Sequence, residues 1–256
     1  MKIKGKLPIF LGLGFLLWGI TLMGLSILYE STILLLISLA ITFWGSLLLY
    51  LRPTKYVRSI LINSSTISSL EALDQLITEL EYKGKGVYLP PRSFEEIKSG
   101  RVFIPKKEMI VIPIKEKETG QHVFVRNPDG LYIIPPGVEL ANLFEKELGK
   151  NFAEVSLEYL AENLPKVFIE DLEIAKNCEV SMKKNLVSVK ISGVTYDLLC
   201  QRLCEKSNVC SKIGCPFCSA IACAIARSTG KQVIIEKNSF SNENRVVQVY
   251  YKILGE

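Results

Sequence analysis

Histidine is nearly absent: His122 is the only one in 256 residues. A Ser-His-Asp triad or a histidine-ligated metal centre therefore has almost nothing to work with, and His122, in a stretch that reads as strand, is expected on the surface. No Walker loop and no GxGxxG turn occurs, so the usual phosphate cradles are missing. Paired carboxylates such as Glu95-Glu96 and Glu170-Asp171 read as solvated faces rather than acid/base couples. Charge is missing over one long stretch, because between Lys6 and Arg52 the only charged residue is Glu30.

The formal charge of +5 hints at nucleic acid until it is located. Residues 1–60 hold six of the 31 basic groups and one of the 26 acidic ones, which leaves 25 of each beyond. A neutral later part without basic runs is a poor nucleic-acid binder. The excess flanks the uncharged stretch, where it sets topology and attracts anionic headgroups. Lys greatly outnumbers Arg, and Ile and Glu are frequent, a composition compatible with a thermophilic prokaryote.

Within the uncharged stretch lie two apolar runs, Pro8 to Tyr29 and Ile33 to Leu51. As helices rising about 1.5 Å per residue, each crosses a hydrocarbon core of roughly 30 Å. Neither has the polar stripe of a soluble helix, and the turn from Glu30 to Thr32 is short enough to make the two antiparallel neighbours. Trp18 and Trp44 lie inside the runs, Tyr29 and Tyr50 at their ends. A second run follows at once and no small-x-small cleavage site is evident, so the first is not a cleaved signal. Lys2, Lys4 and Lys6 flank one side and Arg52, Lys55 and Arg58 the other. The positive-inside rule then gives a two-pass protein of the cell membrane with both termini cytoplasmic. Without Asp, Glu, Lys, Arg or His in either span, a proton or ion pathway is disfavoured. Small residues recur at Gly12, Gly19 and Ser26, and at Ser38, Thr42 and Ser46. They form either a dimerisation face or the seam between the spans, and the lack of GxxxG favours the seam.

The expected domains are residues 1–52, a transmembrane hairpin; 53–66, a tether with the glycosylation sequon Asn63-Ser64-Ser65; and 67–256, a cytoplasmic α+β domain that could subdivide near 149–165. A helix opens at Ser68 with Glu71 at capping-box spacing and places Leu70, Leu73, Leu76, Ile77 and Leu80 on one face, with Gly84 as its stop. Val87 to Pro90 follows, and Phe94 to Ser99 could form a helical turn. Met109 to Lys115, Gln121 to Arg126 and Leu131 to Ile134 read as antiparallel strands. Asn127-Pro128-Asp129-Gly130 reads as a turn in which Gly130 takes positive φ. Helices are expected at Val138 to Leu148 and Ala153 to Leu164, the second ending at Pro165. Beyond them come a hairpin of Cys178 to Met182 with Leu186 to Ile191, an amphipathic helix from Tyr196 to Glu205, a nearly all-apolar helix from Ser219 to Ser228 closed by Gly230, and strands at Val233 to Glu236 and Val246 to Ile253.

The hairpin around Asn185, Cys215-Pro216-Phe217 leading into the apolar helix, Thr229-Gly230-Lys231 and the two last strands resemble the C-terminal half of vinyl-reductase-type ligand-binding domains and their TRAPP-type relatives. That resemblance covers under a third of the chain and implies a module that binds a small hydrophobic ligand or assembles with partners. The whole chain also resembles uncharacterised archaeal membrane proteins with two N-terminal spans and a cytoplasmic domain carrying a Cys-Pro-x-Cys-Ser helix start, here Cys215-Pro216-Phe217-Cys218-Ser219. No known activity comes with it.

Six of the seven cysteines fall between Cys200 and Cys223, spaced Cys200-x3-Cys204-x5-Cys210-x4-Cys215-x2-Cys218-x4-Cys223. Three readings stay open. Cys210, Cys215 and Cys218 have the spacing of three plant-type iron-sulfur ligands. With Cys204 as the fourth they make a candidate set for a cluster or for zinc, although no second CxxC pair exists. Cys215-Pro216-Phe217-Cys218 resembles the glutaredoxin motif, at a helix start suited to a reactive thiol, but only 38 residues follow it, where that fold needs most of its domain. Otherwise Cys200, Cys204 and Cys223 are small hydrophobes on apolar helix faces, or disulfide partners in a hyperthermophile.

The leading expectation is a non-enzymatic, membrane-tethered module, associated with the lipid bilayer and with a partner protein, a second copy or a small ligand, and not with nucleic acid. The rival is a zinc, iron-sulfur or thiol-redox protein using Cys204, Cys210, Cys215 and Cys218.

Overall fold

The protein is seen in a computed structural model that describes residues 7–50, 59–93, 100–108, 123–194, 201, 208–241 and 245–255. The chain divides into two compact units, Met1–Val57 and Arg58–Glu256.

The first unit holds helices α1 (Leu7–Leu28) and α2 (Thr32–Tyr50). Both are exposed almost all round: Trp18 is 70% exposed, Leu17 65%, Phe43 63% and Trp44 59%. Water would penalise that surface heavily, whereas hydrocarbon would not. The two helices are long and apolar enough to cross a membrane. Their buried residues are small ones at seven-residue spacing, Gly12, Gly19 and Ser26 on α1 and Ser38 and Gly45 on α2. A Cβ on Gly19 would lie 2.2 Å from Thr42 Oγ1, and one on Gly45 would lie 2.8 Å from the Leu16 amide nitrogen. The small residues thus form the seam between α1 and α2, with Gly45 in the place expected of Ser46, which is exposed. Close backbone approach is what lets two helices associate where no hydrophobic driving force exists.

In the second unit, helix α3 (Ser59–Glu79) precedes strands β1 (Val87–Leu89), β2 (Arg101–Pro105), β3 (Phe124–Arg126) and β4 (Asp129–Ile133). Helices α4 (Val138–Leu148) and α5 (Leu157–Lys166) follow, then strands β5 (Asn177–Lys183) and β6 (Leu186–Ser192). Helices α6 (Asn208–Ile213) and α7 (Pro216–Thr229) and strands β7 (Gln232–Ser241) and β8 (Val246–Leu254) complete it. Among the described residues all eight strands form one antiparallel sheet in the order β3-β4-β2-β1-β7-β8-β6-β5. This is the α+β class expected from the sequence.

Alternation fixes which sheet face is covered. Val187, Val189 and Ile191 on β6 and Val247, Val249, Tyr251 and Ile253 on β8 are buried, while Lys190 and Lys252 point away from the core. A period of two allows no other arrangement when one face is dry. Against the covered face lies α7, buried continuously from Cys218 to Arg227. Residues 208–229 are apolar enough to cross a membrane, with mean hydropathy 1.7, yet 78% of them are buried, against 17% and 11% for the α1 and α2 spans. A helix apolar all round has two homes, lipid or a protein core, and α7 occupies the second. Phe152, Leu160 and Leu164 join the same core, so it runs unbroken through residues 149–165.

The structure corrects several sequence expectations. Helix α3 begins at Ser59 rather than Ser68, so residues 59–66 of the expected tether are helical. Its buried side is Ile67, Leu70 and Ile77, with Leu76 and Leu80 exposed at 43% and 39%. Asp74 lies half-buried beside that side, where its Oδ1 accepts from the Val209 amide at 2.8 Å and satisfies one of the N–H groups at the start of α6. Strand β2, absent from the sequence reading, lies inside the sheet between β1 and β4. The β3–β4 turn is Asn127-Pro128, and Gly130 sits within β4, where a Cβ would come 2.1 Å from the Phe103 ring. Room, not positive φ, is what that glycine supplies. Helix α5 starts at Leu157, four residues later than expected, and runs through Pro165. The Val167 amide still bonds to the Asn163 and Leu164 carbonyls, so the missing proline N–H removes one bond without ending the helix, which continues as a π-helical turn, Val167–Asp171. Residues 94–99, Met109 to Lys115, His122, Cys200, Cys204 and all of the expected 196–205 helix except Gln201 lie outside the described residues.

Candidate functional site

The cysteine motif sits at the corner between α6 and α7. Gly214 turns it in the left-handed region at φ +71°, and a Cβ there would lie 2.6 Å from Ile235 Cδ1 and 2.9 Å from Cys218 Cβ, so both conformation and space require glycine. Cys215, in extended backbone, is the N-cap of α7, and Pro216 occupies the first turn, where its lack of an N–H costs nothing. The Ser219 amide donates to the Cys215 carbonyl at 2.8 Å and closes the first helical turn. That turn brings the Cys215 and Cys218 sulfurs to 3.4 Å.

Two buried hydroxyls and a backbone amide, from three other places, hold this turn. Tyr251 Oη, on β8, donates to the Cys218 carbonyl at 3.1 Å, and Tyr88 Oη, on β1, donates to the Ile213 carbonyl at the end of α6. The Gly137 amide, preceding α4, donates to Ser219 Oγ at 3.0 Å. Burial pushes both phenols above their ordinary pKa, and the neighbouring thiols push in the same direction: Cys223 foremost for Tyr88, Cys218 foremost for Tyr251. The Cys223 thiol is pushed up to about 12 by burial, which outweighs the opposing pull of Arg227 and of the Ser219 hydroxyl. The Cys178 thiol reaches about 12 through burial and the nearby Glu179 carboxylate. A neutral thiol surrounded by apolar atoms behaves as a small hydrophobe.

Of the expected ligand set, the structure brings Cys215 and Cys218 together. Cys210, on α6, is engaged elsewhere: Asn238 Nδ2 lies 2.7 Å from its carbonyl and 3.2 Å from its sulfur. Cys204 lies outside the described residues, and among the described residues no group of three or more His, Cys, Asp or Glu side chains is arranged to hold a metal ion. None of the five described cysteines is in a disulfide, and all are buried. Sequence reasoning missed Tyr88, Tyr251, Gly137 and Asn238, because each is brought to the motif by the sheet or by the start of α4 rather than by proximity along the chain.

Two apolar clefts flank α5 and α7. One, with a cavity volume of about 10 Å³, is lined by Phe168, Ile174, Ile191, Val194, Phe217 and Val247. The other, also of about 10 Å³, lies between α5 and β6 against Ile221 and Ile225. Both fall below the roughly 300 to 1,000 Å³ of ordinary ligand sites.

Residues 10–251 match the family described as a domain of unknown function (DUF7982), and the chain belongs to that family. The match takes in both apolar helices and the sheet domain. No curated protein and no solved structure matches the chain.

Proposed function

We propose that this chain, as a member of the DUF7982 family, is a membrane-anchored module whose α+β domain faces the cytoplasm and binds a partner protein, with no chemistry of its own. The single observation that carries the reading is the contrast between its two units: α1 and α2 expose apolar side chains all round, while the unit from Arg58 onward closes around its own core. A hairpin of that kind serves as an anchor, and an anchor serves to hold a domain where its partner is. Lys2, Lys4 and Lys6 before the hairpin and Arg52, Lys55 and Arg58 after it support cytoplasmic termini. A protein partner is favoured over the small hydrophobic ligand of vinyl-reductase-type domains because the two apolar clefts are small for such a ligand.

Fractionation and cross-linking test it. The full-length chain stays in the membrane pellet through an alkaline carbonate wash, leaves it in detergent, and forms one defined cross-linked product when intact cells are treated with a bifunctional amine reagent. Release by carbonate alone, or sugar on Asn63 of the sequon Asn63-Ser64-Ser65 when the chain is expressed with a glycosylating host, overturns the anchor or its orientation.

The rival reading, zinc or an iron-sulfur cluster on Cys204, Cys210, Cys215 and Cys218, draws support from the 3.4 Å approach of two of the four sulfurs. Metal analysis of the purified chain decides it: one equivalent of zinc, or iron with sulfide, lost in the Cys215→Ser variant, establishes the rival.

A further inference from the structure

The Cys215 and Cys218 sulfurs meet across the CxxC turn, whose backbone is held by the Ser219 amide, Tyr251 and Gly137. We propose that Cys215 and Cys218 form a reversible disulfide within the chain by exchange with a low-molecular-weight disulfide.

Geometry supplies the first argument. The sulfurs stand 3.4 Å apart, so a bond of about 2.05 Å lies within a short further approach. Placement supplies the second, because Cys215 is the N-cap of a fourteen-residue helix and Cys218 lies in its first turn, where the aligned peptide dipoles favour negative charge on an attacking sulfur. Selectivity supplies the third. The other buried thiols of the core, Cys178 and Cys223, are held near pKa 12 and stay protonated at ordinary pH, and the Cys210 sulfur lies against the Asn238 amide. Among the described cysteines, this pair combines a sulfur partner in reach with a helix start.

The exchange balances as two successive displacements. One Cys thiolate attacks a sulfur of the small disulfide, forms a mixed disulfide and expels one small thiolate. The second Cys then attacks the protein sulfur of that mixed disulfide and expels the other small thiolate. The two protons lost by the cysteines end on the two released thiols, and the small disulfide is reduced by the two electrons that the cysteines give up. Cys215 and Cys218 are 1% and 2% exposed, so exchange proceeds through opening of the corner at Gly214 and is slower than for a surface dithiol. Once formed, the bond closes the N-terminal turn of the central helix covalently.

The experiment uses the full-length chain in detergent micelles and oxidised glutathione as the probe. Samples are quenched with acid, denatured, alkylated and cut with trypsin, which releases the segment after Lys212 up to Arg227, carrying Cys215, Cys218 and Cys223. The expected result is that this peptide takes three alkyl groups before oxidation, one after it and three again after dithiothreitol. Fragmentation then places the single alkyl group on Cys223. The Cys223→Ala variant should go from two groups to none. The native chain should reach half oxidation at an oxidised-glutathione concentration at least tenfold lower than the same chain in urea. Retention of all three alkyl groups, a persistent glutathione adduct, a bond that includes Cys223, or equal sensitivity of native and urea-unfolded chains would each overturn the proposal.

Discussion

The Arg227 guanidinium donates to Glu145 Oε2 at 2.8 Å and to Asn142 Oδ1 at 2.8 Å, which ties the C-terminal half of α7 to one face of α4. Arg227 is 5% exposed, and Glu145 spends its other oxygen on the Phe152 amide at 2.9 Å. The pair therefore joins three segments, α7, α4 and the turn that opens at Phe152.

Removing one partner of such a pair leaves a charge among apolar atoms. Glu145→Ala should lower the stability of the α+β unit by about 2–4 kcal/mol, because Arg227 then stays buried without its counter-charge. Replacing both, Glu145→Leu with Arg227→Met, should cost clearly less than Glu145→Ala. Thermal unfolding of the full-length chain in micelles, followed by circular dichroism, compares the three proteins.

Gly137 is the second pivot. A Cβ there would lie 2.2 Å from both the Ala220 amide nitrogen and the Pro216 carbonyl, which are backbone atoms that cannot step aside. Gly137→Ala should therefore push α4 off the first turn of α7, break the bond to Ser219 and destabilise by about 2–3 kcal/mol, at the upper end for overpacking. Ser219→Ala, which removes the acceptor but adds no atom, should cost less. The same unfolding measurement ranks them.

Alkaline pH tests the buried phenols and thiols. Cys178 and Cys223 are raised to about 12 in the folded chain from an ordinary value of 9.0, and Tyr88 and Tyr251 are raised above 10.0. Above pH 9 the unfolded chain has lost protons that the folded chain still holds, so stability falls as pH rises. The contribution of these groups is complete below pH 9 and is lost progressively toward pH 12. The melting temperature should be level from pH 7 to 8.5 and fall steeply beyond, and the fall should be shallower in the Cys223→Ala variant.

The sequence carries the long-range order of this fold unevenly. The spans, α4, the β5–β6 hairpin and the Gly230 stop of α7 could be read because each is specified by its own residues: an uncharged run, a 3.6-residue period, a period of two, a left-handed cap at φ +64°. Strand β2 escaped notice because Arg101 to Pro105 is a five-residue run buried on both faces, which has no alternation to detect. The α3 stripe was legible in part, with Leu70, Leu73 and Ile77 on the core side and Leu76 and Leu80 exposed, while the half-buried place of Asp74, which bonds the Val209 amide from across the chain, carried no local signal. At the cysteine corner the Cys215–Cys218 pairing follows from local spacing, while Tyr88 comes from a strand 125 residues before the Ile213 carbonyl it bonds and Tyr251 from one 33 residues after the Cys218 carbonyl. Nothing local to either tyrosine announces that it ends beside a thiol.

The account rests on α1 and α2 lying in lipid, and the chain's own tryptophans report on that directly. Trp18 and Trp44 are the only two, and both sit well inside the spans with their rings exposed. In the full-length chain reconstituted into vesicles whose lipids carry bromine midway along the acyl chains, tryptophan emission should lie at short wavelength and lose more than half its intensity relative to unbrominated lipid. Emission at the wavelength of tryptophan in water, unchanged by the bromine, would contradict the anchor and everything inferred from it.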